Sequence, residues 1–379
     1  MKKSLIALAA VAASGAAMAQ SSVTLYGVVD TSVGYVKGAE SVSGLLNNGN
    51  STSRLGFRGV EDLGNGLKAE FVLEGQVDPD NGGDGFNFKR QSTVGLAGEF
   101  GQVRLGRALT ASYNAVSRYD VFGTVGLGSS LMWSTGAATV TAEQLFGGNA
   151  ADAVKTAGYQ NRANNMVSYI SPSFAGFKFG VDYGFGEQSS SRDGRYWGFG
   201  ATYDNGPLSL GLGYDRLNNL TASWEAVAPS TEFIDAQVDA KTWHVGGSYD
   251  FGVAKIAAAY KQQTNAADLD WNDGTDDFEE SRKQKIKSYL LGVSAPVGAA
   301  GVVKASYNNY KWSDSSAKAQ QFALGYVHSL SKRTAVYGTY AYIKNKNGAD
   351  LSLNSAFSAA GLKDGKKQQG IQVGVRHAF

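Results

Sequence analysis

Apolar and polar residues alternate with a period of two along most of this chain. From Val23 to Tyr35, Val23, Leu25, Gly27, Val29, Val33 and Tyr35 hold one parity, while Thr24, Asp30 and Ser32 hold the other. Between Thr52 and Asp62, Leu55 and Phe57 oppose Arg54 and Arg58. Between Leu67 and Glu74, Leu67, Ala69, Phe71 and Leu73 oppose Lys68, Glu70 and Glu74. The last nine residues repeat the pattern, with Ile371, Val373, Val375, His377 and Phe379 against Gln372, Gly374, Arg376 and Ala378. Successive side chains of a strand point to opposite faces, so this periodicity predicts strands rather than helices. One greasy and one wet face per strand suits a half-buried soluble sheet, or a barrel with lipid outside and water inside.

The connections separate those two possibilities. Short turns fall near 62–66, 99–101, 171–173, 204–207, 250–252, 296–298 and 330–332. Polar and mostly longer connections fall near 37–51, 78–87, 110–161, 188–193, 218–238, 264–280, 313–317 and 345–365. The two kinds alternate, and seven short and eight long connections imply sixteen strands with both termini at the short-turn end. A soluble array of β-sandwiches has no reason to sort its loops by length to two ends. A bacterial outer-membrane barrel does, with tight periplasmic turns and long outer loops. The expected fold is therefore all-β, a 16-stranded antiparallel transmembrane β-barrel. Barrels of eight strands fill with side chains, whereas sixteen strands leave an aqueous channel.

Composition agrees. The chain has 49 Gly, 18 Phe, 19 Tyr and 6 Trp but only 5 Pro, as a protein dominated by ladders and tight turns requires. It has no Cys, which removes thiol catalysis and cysteine-based metal sites. Residues 1–19 read as a signal peptide: Lys2 and Lys3, an apolar run from Leu5 to Ala13, then Ala17-Met18-Ala19 as a small-x-small cleavage site. The barrel domain is then 20–379, and without Lys2 and Lys3 its 33 basic residues balance its 33 acidic ones. Nucleic-acid binding driven by bulk charge is not expected.

The connection of about 110–161 is too long for a hairpin loop. Loops of that length inside a compact domain are commonly functional. Rich in Gly, Ala, Ser and aromatics and poor in charge, it is expected to fold into the barrel and narrow the pore. Opposite it, parity turns Arg54, Arg58 and Lys68 toward the lumen. Arg107 stands where the fifth strand enters the long loop, and Arg162 where the sixth leaves it. Guanidinium stays protonated at any relevant pH, so such a cluster holds a permanent positive field in a narrow aqueous passage. Asp120 and Glu143 are the candidates for an acidic side across the constriction. The local basic excess predicts a mild preference for anions, opposed by the lumen-facing Glu70 and Glu74.

Four stretches resemble one known family. Ser22-Val-Thr-Leu-Tyr-Gly-Val-Val-Asp30 resembles its first strand, and Arg54-Leu-Gly-Phe-Arg-Gly-Val-Glu-Asp-Leu-Gly-Asn-Gly-Leu-Lys-Ala69 its second and third. Gly95-Leu96 with Phe100-Gly-Gln-Val-Arg-Leu-Gly-Arg107 resembles the fourth and fifth strands. Leu330-Ser-Lys-Arg-Thr334 with Gly374-Val-Arg-His-Ala-Phe379 resembles the closing strands. The family is the trimeric general porins of the Gram-negative outer membrane, the beta-proteobacterial kind in particular. The resemblance implies a homotrimer embedded in outer-membrane lipid and lipopolysaccharide, passing small hydrophilic solutes and ions without a cofactor. It maps the family's pore arginines onto Arg54, Arg107 and Arg162. It also implies that Phe379 ends a strand read by the barrel-assembly machinery. The enterobacterial loop motif Pro-Glu-Phe-Gly-Gly is absent, and Tyr119-Asp-Val-Phe-Gly123 stands nearest its place.

Other functions leave different marks. A barrel hydrolase needs a serine or aspartate beside a histidine, and the chain offers only His244, His328 and His377, with no Gly-x-Ser-x-Gly turn. The reading is therefore not an enzyme. A solute-specific porin would set aromatics along the lumen, whereas Phe57, Phe71, Phe322 and Tyr326 take the outward parity. A non-conducting structural or adhesin barrel has no use for a long inward loop. These two remain the alternatives to a passive channel.

Overall fold

The computed structural model describes residues 22–83, 85–133, 161–187, 194–225, 233–272, 277–353 and 359–379. The segment read as a signal peptide lies outside the described residues. The described residues form one antiparallel sheet of seventeen strands. The first six are β1 (Ser22–Lys37), β2 (Ser41–Asn47), β3 (Arg54–Gly64), β4 (Leu67–Gln76), β5 (Gln91–Gly98) and β6 (Gly101–Leu109). A short helix, α1 (Ala111–Val116), opens the long loop. After it come β7 (Arg162–Ile170), β8 (Phe177–Gly184), β9 (Tyr196–Asn205), β10 (Leu208–Glu225), β11 (Phe233–Asp250) and β12 (Lys255–Asn272). The wall ends with β13 (Asp277–Val297), β14 (Gly301–Trp312), β15 (Lys318–Ser329), β16 (Thr334–Lys346) and β17 (Lys367–Ala378).

Closure comes from β1 pairing with β17, in a register running from Val28 opposite Ala378 to Lys37 opposite Gln369. The other edge of β1 is shared. Its first half pairs with β3, Ser22 opposite Val60 through Val28 opposite Arg54, and its second half with β2, Thr31 opposite Asn47 through Lys37 opposite Ser41. The barrel wall is thus sixteen strands, and β2 is a return inside the first long connection. Two other long connections are also largely ladder. Glu225 pairs with Phe233 at the tip of β10–β11, and Asn272 with Asp277 at the tip of β12–β13. Beyond the lipid a ladder needs no apolar face, so small polar sequences such as Thr264-Asn-Ala-Ala continue strands without showing alternation.

The burial pattern is inverted relative to a soluble protein. Outward residues such as Val23 (67% exposed), Val33 (63%) and Val373 (60%) are open, whereas inward Asn308, Gln321 and Gln372 are at most 1% exposed. Trp197 stacks near Tyr214, Trp243 near Tyr260 and Tyr260 near Tyr289, with ring centroids 4.8–4.9 Å apart. Such a girdle belongs at a membrane–water interface, where a ring buries its body and keeps a polar tip wet.

The apolar core sits inside the barrel, between the long loop and the wall. Val116, Tyr119, Phe122, Leu127, Met132 and Trp133 of the loop bury against wall residues such as Ala257, Leu290, Ala323 and Ile343. Burying six such side chains provides the drive to fold the loop inward, at roughly 1.5–3 kcal/mol for each large one.

Candidate pore constriction

The loop is fastened to the wall along its described length. Thr110 caps α1, its hydroxyl accepting from the Tyr113 amide at 3.3 Å. Glycines let the helix backbone lie against the sheet: a Cβ on Gly200 would strike the Ala111 carbonyl, and one on Gly211 the Ala115 carbonyl. The Ala111 amide donates to the Asp182 carboxylate, and the Ser112 hydroxyl donates to Asp215 at 2.6 Å. His244 Nε2 donates to the Ser112 carbonyl at 2.8 Å, and Lys261 Nζ to the Met132 carbonyl at 2.7 Å. Arg118 grips Asp204 with two nitrogens, at 2.8 and 3.0 Å. Farther round, the Leu127 amide donates to Gln372 at 3.2 Å and the Leu131 amide to the Tyr310 hydroxyl at 2.8 Å. The loop therefore lines the lumen from β8 round to β17.

Asp120 turns away from water. It is 5% exposed, and its carboxylate accepts from the Phe122 and Ser130 amides at 2.9 Å each. Burial pushes its pKa up to about 6, against the pull of those amides and of Lys304. It braces the turn between the 3₁₀ segment Ser117–Tyr119 and the stretch leading to Leu131. Its nearest opposite charge is Lys304, whose Nζ lies 5.9 Å from the Phe122 ring centre. Glu143, the second acidic candidate, lies outside the described residues.

The opposite wall gathers the arginines. Arg54 starts β3, Arg107 lies near the end of β6 and Arg162 starts β7, all at the long-loop end. Glu74 of β4 ties two of the basic groups together, with Arg54 Nε at 3.4 Å and Arg90 Nε at 2.8 Å. Arg162 Nε donates to the Arg90 carbonyl at 2.7 Å, and Arg107 donates to the Lys89 carbonyl and to Asn164, each at 2.5 Å. Arg162 lies in the field of Arg90, Arg107, Glu74 and, from α1 across the gap, Tyr113. Two of the four guanidinium groups thus pair with Glu74, and Arg162 lies in its field. Arg58 lies four residues farther along β3, exposed, its guanidinium carbon 5.5 Å from the Tyr26 ring centre. Lys68 is exposed at the short-turn end, opposite Asp62, and does not join the cluster.

Sequence reasoning passed over Arg90. The rule that selects Arg162, a basic residue opening a strand after a long-side connection, selects Arg90 before β5 equally well. His244 faces the lumen and holds α1, while His328 pairs with the Tyr326 hydroxyl and His377 with the Thr334 hydroxyl on the outer surface. Among the described residues no cluster of three or more His, Asp or Glu is placed to hold a metal.

A long inward loop facing a basic wall inside a sixteen-stranded barrel has the geometry of a narrowed aqueous pore. The model of the Gram-negative porin family matches residues 5–348. The chain is 45% identical to outer membrane porin protein 32 of Delftia acidovorans, over the full length of both. It is 34% identical to an outer membrane porin protein of Bordetella pertussis, again over all of both. Among solved structures it resembles the anion-selective porin from Comamonas acidovorans, with a TM-score of 0.76, 42% identity and coverage of 95% of this chain and all of that one. This chain belongs to the Gram-negative porins.

Proposed function

We propose that the barrel is a passive channel for small hydrophilic solutes and ions across the outer membrane, with a preference for anions set by Arg54, Arg90, Arg107 and Arg162. The observation that carries it is the gathering of Arg54, Arg90, Arg107 and Arg162 at one place where only Glu74 pairs with them, and with just two, facing a described loop segment whose lone acid, Asp120, is buried. A charge near a narrow pore wall acts through less water than one on an open surface, so the imbalance biases permeation without closing the pore to cations. Arg58, and farther off Lys68, extend the positive surface toward the short-turn end. Likeness to a porin named for anion selectivity supports the same reading.

The assembly is proposed to be a homotrimer that meets through the outward faces of the first and last strands. Val23, Leu25 and Val375 are 67%, 55% and 48% exposed there, and Gly27 adds no bulk of its own. The test is single-channel recording in a planar bilayer under a salt gradient. Stable ohmic steps with a reversal potential on the anion side, closing in groups of three, are expected. A silent bilayer, or a reversal potential on the cation side, refutes the corresponding part.

A further inference from the structure

Between α1 and the wall, on the short-turn side of the constriction, lies a cavity of about 270 Å³. The register builds its floor. Ile170 of β7 stands opposite Gly180 of β8, and Gly180 opposite Gly200 of β9, all at one level of the wall. The two glycines let α1 come close, since a Cβ on either would meet Ala111 or Ala115. Those two alanines and Ile170 give the cavity an apolar centre.

Three cations line the same cavity, Arg104 of β6, Lys178 of β8 and Arg118 of the loop. Arg104 sits one step toward the long-loop end, opposite Ser168, which in turn faces Asp182. Lys178 sits one step toward the short turn, opposite Thr202. Their engagements differ. Arg118 is held by Asp204 through hydrogen bonds of 2.8 and 3.0 Å. Asp182, the carboxylate whose field reaches Arg104, accepts from the Ala111 amide. Among the described residues the Arg104 guanidinium has one hydrogen-bond partner, the Leu109 carbonyl at 3.1 Å. Lys178 is exposed and takes part in none of the ion pairs among those residues.

A guanidinium with donors to spare and an ammonium group, set either side of an apolar floor, suit a molecule that is anionic at one end and greasy at the other. Charge-assisted bonds to a carboxylate are strong, and a planar guanidinium matches its two oxygens. A bare halide would leave Ile170, Ala111 and Ala115 wet, and a neutral solute would leave the cations unmet. The volume lies just under the roughly 300 Å³ at which pockets for drug-sized ligands begin, so one short acid fits. We propose that this cavity is an anion site separate from the constriction and takes a small organic monocarboxylate. The carboxylate lies between Arg104 and Lys178, and the aliphatic or ring part covers Ile170, Ala111 and Ala115. The site rests on the reading of the barrel as a channel for small solutes. A carboxylate that passes Arg54, Arg90, Arg107 and Arg162 from the long-loop end meets it next.

Binding is measured by saturation-transfer NMR on the purified, folded barrel in detergent, with empty micelles as the blank. Conduction is not needed, so a silent bilayer would sink the channel reading and leave this site standing. The probes are hexanoate, acetate as the charge without the chain, and hexanamide as the chain without the charge. Hexanoate should bind saturably, with acetate and hexanamide each at least about tenfold weaker. K178Q and R104Q should each weaken hexanoate by about tenfold, whereas R107Q in the constriction should bind it as the wild type does. Lys178 is exposed, so K178Q decides the matter even where R104Q folds poorly. Three results overturn the proposal. One is no saturable binding of hexanoate to the folded wild type. Another is acetate or hexanamide binding as tightly as hexanoate. The third is hexanoate binding that R107Q weakens and K178Q does not.

Discussion

Gly27 and Phe379 exchange both of their backbone hydrogen bonds, each 3.1 Å long, and the Phe379 ring lies over the Gly27 Cα where a side chain would stand. Tyr26 and Val28, on the lumen parity either side, leave the outward place to glycine. A Cβ there would run into the ring and also come within 2.9 Å of the Arg54 carbonyl. Gly27→Val should therefore destabilise the barrel by about 1–3 kcal/mol, as overpacking does. The check is the heat-modifiable, folded fraction on a gel. Phe379→Ala in the same chain should restore part of it, because one of the two clashes disappears. No rescue at all would place the strain on the Arg54 side of β1.

Selectivity is expected to follow the arginines one by one. A unit charge at about 4 Å is worth about 1 kcal/mol in water and more in a narrow pore, so Arg54→Gln or Arg107→Gln should each lower the anion-to-cation permeability ratio by roughly fivefold or more. Glu74→Gln should move the reversal potential the other way, since it frees Arg54 and Arg90 from their shared partner. Shifts of the same sign for Arg54→Gln and Glu74→Gln would show that these groups do not act on permeating ions as a cluster.

Asp120 supplies a pH dependence with a fixed sign. Its pKa, raised by burial to about 6, means that it takes up a proton as the pH falls from 7 to 5. One negative charge beside Lys304 then disappears, and anion preference should rise. A carboxyl whose pKa is raised by the fold is stabilised in its neutral form, so the docked loop gains stability as pH falls from about 6 toward the ordinary value of 3.8 and changes no further above about 6. Reversal potentials between pH 5 and 7.5 should show the step near pH 6 in the wild type and a smaller change there in Asp120→Asn.

The Tyr310 hydroxyl accepts from the Leu131 amide at 2.8 Å and donates to Gln321 at 2.8 Å, in a fully buried place. Tyr310→Phe removes the hydroxyl that links the Leu131 amide to Gln321, at a cost of about 1–3 kcal/mol. The expected result is a less firmly docked loop, seen as greater open-channel noise with a normal amount of folded barrel. A quiet channel of wild-type conductance would mean that the apolar contacts of Leu127, Met132 and Trp133 hold the loop unaided.

Strand number was legible because loop length is a coarse property that survives errors at strand ends. Turning Arg54, Arg58, Glu70 and Glu74 inward needed only parity. The missing strand, β2, is Ser41-Val-Ser-Gly-Leu-Leu-Asn, too short and too small in its side chains to stand out from the loop around it. Asp120 was visible as an acid in the right loop. Its burial was not, because that depends on the amide of Ser130, ten residues on, folding back over it. The grip of His244 and Lys261 on the loop likewise joins residues 132 and 129 positions apart, which no local pattern encodes.

The shared edge of β1 bears on the order in which the wall is made. Val28 must find Ala378, 350 positions away, whereas Lys37 meets Ser41 across a four-residue step. Local pairings form early and distant ones late, since loop closure takes its entropy first. The β1–β2 hairpin can thus occupy the outer half of one edge of β1 while the other edge waits for the last strand. An unpaired strand edge is a template for pairing with the wrong chain. Deleting Ser41–Asn47 should consequently show its effect during refolding, as slower closure and more aggregate at the same final stability, followed by light scattering beside the heat-modifiable band. In that sense the first outer loop acts as a chaperone built into the seam it sits beside.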